Sequence, residues 1–126
     1  MFGDGRCPVT MPIRVRFLER GEVRMGSPYN KCRVALYGKW VPPLPNGGED
    51  YQDLAAWSPD NRHLALVRWA VHSNRPGFKV VVISLARRSV SESRRKDGCC
   101  LSIRWEDGAF RFVARRFVEG VVKPHR

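Results

Sequence analysis

Residues 54–69 read LAAWSPDNRHLALVRW, two apolar runs around the tetrapeptide Ser58-Pro59-Asp60-Asn61, each run closed by a tryptophan. Proline presets φ for a turn, and Asn61 tolerates the left-handed conformation that completes it. The flanking runs are too short for helices. Leu54–Trp57 and His63–Val71 are therefore expected to be the arms of an antiparallel hairpin.

The same rhythm runs outward in both directions. In IRVRF, residues 13–17, Ile13, Val15 and Phe17 alternate with Arg14 and Arg16, the period of a half-buried strand with a basic outer face. Glu19-Arg20-Gly21-Glu22 is expected to turn into a strand near Val23–Met25, and KCRVALYG (31–38) reads as a third strand. WVPPLPNGGED (40–50) has three prolines and two glycines, which excludes a helix or a central strand. Beyond it, HSNRPG turns, and FKVVVISLA is a β-branched run of the kind covered on both faces. SVSES reads as a short polar strand, RRKDG as a charged hairpin loop and CCLSIRW as a strand. Glu106-Asp107-Gly108 turns into AFRFVARRF, and a weak helical pattern touches residues 110–119. Turn signals about every 8 to 12 residues mark an all-β chain, an antiparallel meander of short strands packed as a small sandwich or open barrel. One core is expected, with Leu64, Leu66, Val80, Val82, Ile103 and Trp105 buried and Trp57 against them.

LSIRWEDGAFRFV repeats the plan of LAAWSPDNRHLALV, with Trp57 and Trp105 48 residues apart, a spacing in the range of β-propeller blades. AAWSPDNRHLALVRW followed by FKVVVISLARRSV resembles a blade of the TolB-like and WD-repeat-type propellers, with Asn61 where glycine is usual. The resemblance spans about residues 51–112 and implies blade-like four-stranded sheets, not an activity. A closed propeller needs at least about four blades, more than 126 residues supply. A single all-β domain is expected instead: N-terminal strands at 1–38, a Pro/Gly loop at 39–50, blade-like hairpins at 51–118 and a basic tail at 119–126.

Charge is the compositional anomaly, with 23 Lys and Arg against 12 Asp and Glu and a net charge of +11. Such a surplus attracts polyanions. Cys7, Cys32, Cys99 and Cys100 match no zinc spacing, and the pair at 99–100 opens an apolar run, as buried free thiols do. Neither metal nor cofactor is implied. Ser58, Asp60 and His63 lie close in sequence, but turn hydrogen bonding accounts for the first two, so no catalytic set is assigned. No apolar run reaches the roughly 18 residues of a membrane span, and MFGDGRCPVTMPIRVRF has no signal-peptide core. A cytoplasmic protein without membrane contact is expected.

The candidate binding residues are Arg14 and Arg16 on one strand face, Arg87, Arg88, Arg94, Arg95 and Lys96 bracketing a hairpin, and Arg111 after the last turn. Trp40 and Trp69, with Tyr37, are the aromatic candidates beside them. The reading is a non-enzymatic interaction module for an acidic protein partner, of immunity, inhibitor or adaptor type, with association of like chains through a free sheet edge. The alternative is a nucleic-acid-binding module using an arginine-rich face with stacking aromatics.

Overall fold

The computed structural model describes residues 13–22, 30–73, 75–114 and 118–124. Alternating apolar and basic residues form β1 (Ile13–Glu22), paired antiparallel with β2 (Asn30–Gly38). No turn interrupts β1 at 19–22. Instead Glu19 takes φ 54°, the register shifts between Leu18 and Gly21, and pairing resumes to Glu22. A bulge accommodates the residues that read as a turn, and the Glu19 carboxylate accepts from Arg33 across the pair at 3.1 Å. The strand expected at Val23–Met25 lies outside the described residues.

Strands β3 (Tyr51–Trp57), β4 (His63–Trp69), β5 (Gly77–Ser84) and β6 (Ser89–Glu92) form a four-stranded antiparallel meander. RRKDG is not a hairpin loop. After Ser93 the chain rejoins the same edge of β5 as β7 (Lys96–Asp97), opposite Gly77 and Phe78. The reason is local: the Ser93 amide and hydroxyl both bond Val80, at 2.9 Å each, and carry the chain past the end of β6. Strands β8 (Cys100–Glu106), β9 (Ala109–Ala114) and β10 (Val118–Val122) make a second sheet in the order β10-β9-β8. The weak helical pattern near 110–119 gives way to these strands. The first sheet runs β1-β2-β3-β4-β5-β6 with β7 beside β5, so the fold is all-β, antiparallel and open.

Three layers result, and period two explains them. Leu64 pairs with Ile83 and Leu66 with Val81, so these four face one side. There they meet Ile13, Cys32, Val34, Leu36 and Tyr51. Ala65, Val67, Phe78, Val80 and Val82 face the other side and meet Cys100, Phe110, Phe112 and Ala114 of the second sheet. The expected single core is thus two cores on opposite faces of the meander. Leu64 and Leu66 belong to one, Val80 and Val82 to the other. Trp57 packs on the N-terminal side and Trp105 on the C-terminal side, and Trp105 and Ile103 are only half-buried.

The layers are joined at two points. β2 meets β3 only at Cys32 opposite Tyr51, a corner that lets the β1–β2 hairpin fold over the meander. On the other side, Gln52 is buried and its amide imitates a strand: Nε2 donates to the Cys100 carbonyl at 2.8 Å, and Oε1 accepts from the Cys100 amide at 3.1 Å. The Pro/Gly loop is held at this corner. The Tyr51 hydroxyl donates to the Pro45 carbonyl at 2.9 Å, and Gly48, at φ 81°, lies so near the Val34 carbonyl that a Cβ would strike it. Cys32 and Cys100 are buried free thiols, and Cys99 is buried as well. Burial pushes the Cys32 thiol up to about 11 and the Cys100 thiol up to about 12, so both pack as apolar groups. No helix among the described residues is long and apolar enough to cross a membrane.

Candidate anion-binding cleft

The loop between β3 and β4 is built around Ser58. Its side chain is buried, its Oγ accepts from the His63 amide at 3.0 Å and donates to Asp60 Oδ1 at 2.6 Å. The Asn61 amide returns to the Ser58 carbonyl at 2.9 Å, and Asn61 sits at φ 60°. Asp60 also accepts from the Arg62 amide at 3.0 Å. The Ser58 hydroxyl first, and then that amide, hold the Asp60 carboxyl below its usual range. Asp60 is therefore an ionised turn brace. The loop leaves Arg62 exposed and delivers His63 to the head of β4.

Two further connections end beside it. The β5–β6 loop, residues 85–88, closes with Arg88 at φ 50° and presents Arg87. The β8–β9 turn is an Asp-Gly pair with Asp107 at φ 53° and Gly108 at φ 77°, the signs a tight two-residue hairpin needs. With the chain leaving β10 at Lys123, these connections enclose a cleft of about 480 Å³. Arg62, Arg87 and Lys123 line it together with His63 and Trp105, and among the described residues no carboxylate does. The imidazole of His63 stacks on Trp105, centroids 5.8 Å apart and planes 8° off parallel, and the edge of Phe110 braces that indole at 4.9 Å. His63 Nδ1 is buried and has no hydrogen-bond partner among the described residues. Ser84 is the cross-strand neighbour of His63, but its Oγ accepts the Arg87 amide at 3.3 Å. The arrangement offers cations, one unused imidazole nitrogen and an aromatic wall, which is the chemistry of anion binding.

The residues singled out from sequence scatter over this frame. Arg14 and Arg16 are exposed on the outer face of β1, as the alternation implies, with Arg14 opposite Tyr37. Arg87 enters the cleft, and the Arg88 guanidinium lies 5.9 Å from the ring centroid of Trp40. Trp40 is half-buried against the N-terminal core, so Arg88 joins that layer to the loop end. Arg94, Arg95 and Lys96 lie at the opposite end of β5. Arg94 is exposed, whereas Lys96 stands 5.9 Å over Phe112. Arg95 is structural: it donates to the carbonyls of Ala70 at 2.7 Å, Arg75 at 2.9 Å and Pro76 at 3.2 Å, and to Asp97 at 2.6 Å. Trp69 is 4% exposed and cannot stack on a ligand. Arg111 is held by Glu106 at 2.6 Å on the outer face of the second sheet, beside Arg104.

Sequence reasoning missed Arg62, Lys123 and the cleft-lining place of His63 and Trp105. Each stands at the end of a different strand, and the turn signals mark those ends. Which turns share one end of the molecule depends on how the sheets stack.

Ion pairs occupy several cations away from this end, while Arg14, Arg16, Lys39, Arg75, Lys79, Arg94 and Lys96 form none among the described residues. Arg20 meets Asp53, Lys31 meets Asp50, Arg33 meets Glu19 and Glu49, and Arg68 meets Glu92. At the cleft, Arg62 reaches Asp60 only at 4.0 Å, and Arg87, Arg88 and Lys123 form no ion pair among the described residues. Comparison with family models, with curated proteins and with solved structures finds no match to this chain.

Proposed function

We propose that the protein is a non-enzymatic interaction module that takes an acidic protein partner at its loop end. The observation that supports this reading is the uncompensated charge there: Arg87, Arg88 and Lys123 lack ion pairs among the described residues, while most acids elsewhere are engaged. Free cations on a rim steer an acidic surface into contact and select against basic ones. The two candidate tryptophans favour protein over nucleic acid. Bases stack on open ring faces, but Trp69 is buried and Trp40 lies beneath Arg88.

The test is affinity purification from native cells after nuclease treatment. A stoichiometric acidic protein should remain bound to the native chain and be lost from the Arg87→Glu/Arg88→Glu double variant. Sub-micromolar binding of generic DNA or RNA at about 150 mM salt, with a steep logarithmic salt slope, would transfer the role to nucleic acid.

A further inference from the structure

We infer that the loop-end cleft is a binding site for a phosphate monoester on a small molecule, a site that goes beyond the partner surface proposed above. Three cations, Arg62, Arg87 and Lys123, line one cleft of about 480 Å³, and no carboxylate lines it among the described residues. A single carboxylate offsets one of them, whereas a phosphate monoester dianion offers two charges and three acceptor oxygens. The guanidinium groups of Arg62 and Arg87 suit that tetrahedral group because each presents a planar fork of donors.

A second observation concerns His63, which lines the same cleft. His63 Nδ1 is buried and lacks a partner among the described residues, although buried polar atoms are normally satisfied. In the Nδ1–H tautomer it could donate to a phosphate oxygen only if the ring turned towards the cleft. Trp105, half-buried and held in place by His63 and Phe110, gives the non-phosphate part of the ligand an apolar wall. Size agrees as well. The cleft falls within the roughly 300 to 1,000 Å³ of small-molecule sites and exceeds what a bare ion needs.

The experiment is titration calorimetry at about 150 mM salt with phenyl phosphate, benzoate and phenol, which share a ring and differ in charge. Phenyl phosphate should bind saturably and at least about tenfold more tightly than benzoate, because charge-assisted hydrogen bonds are the stronger class. Phenol should give no saturable heat. Arg62→Gln and Arg87→Gln should each weaken phenyl phosphate about tenfold, while Arg94→Gln, at the far end of β5, should leave it unchanged. All three side chains are exposed, and a native circular dichroism spectrum of each variant separates lost binding from lost fold. Equal binding of benzoate and phenyl phosphate would overturn the inference. So would absent saturation with phenyl phosphate, or an Arg94→Gln loss equal to that of Arg87→Gln, which would reveal diffuse attraction. The partner reading is tested separately, by whether the Arg87→Glu/Arg88→Glu variant releases a protein.

Discussion

Ser58 shows how one side chain sets a loop. Its Oγ stands where a strand carbonyl would otherwise receive the His63 amide, and its proton goes to Asp60. Ser58→Ala removes both bonds and leaves a sheltered amide unpaired. The expected loss is about 1–3 kcal/mol in urea unfolding, the cost of an unmet buried polar group. Asp60 is exposed, so Asp60→Ala should cost clearly less, and an equal loss from both would show that the carboxylate, not the hydroxyl, sustains the turn. The turn was legible in the sequence because proline, aspartate and asparagine act through their own backbone. Arg95 was not legible in the same way. The carbonyls that it caps belong to Ala70, Arg75 and Pro76, which only the folded sheet brings to it.

At the scale of strands, period two and β-branching identified β1, β2, β4, β5 and both hairpins, since those signals are local. The junctions between strands were another matter. Glu19 reads as a turn residue, yet β2 supplies partners on both sides of it, and the strand bulges rather than ends. Gln52 reads as an ordinary polar residue in an apolar run, and nothing near it predicts a partner 48 residues away. Its amide supplies both hydrogen bonds through which β3 holds the backbone of β8. Gln52→Met keeps much of the volume and removes both bonds, stranding the Cys100 amide and leaving its carbonyl only the weak Cys99 thiol donor at 3.4 Å. The expected destabilisation is about 2 kcal/mol or more, given about 1–3 kcal/mol for each unmet group. Hydrogen exchange should locate the damage, with the Cys100 amide losing protection while amides of the β4–β5 pair keep theirs. Unchanged protection at Cys100 would mean that the second sheet is held by side-chain packing alone.

For the whole molecule, the decisive feature is that a single meander carries a layer on each face, and each layer is joined at residues whose own buried side chains ionise at raised pH. Cys32 and Tyr51 form the corner to the N-terminal hairpin, and Cys100 receives Gln52 from the other side. Burial is the main cause of a raised pKa in all three, to about 11 for Cys32, to about 12 for Cys100, and upward likewise for the Tyr51 phenol. In the unfolded chain the thiols ionise near 9.0 and the phenol near 10.0. Below that range neither state loses these protons, and stability is independent of them. Above it the unfolded chain ionises first, so stability falls as pH rises towards the folded values, by up to about 1.4 kcal/mol per pH unit for each group. The net charge of +11 acts with the opposite sign. Relief of that self-repulsion as the positive charge falls at high pH works against the loss. Urea midpoints measured from pH 7 to 11 should therefore stay level to about pH 9 and then drop, and the drop should shrink in a Cys32→Ala/Cys100→Ala variant. A midpoint that stays level or rises to pH 11 would mean that water reaches these joints and that the layers are held elsewhere.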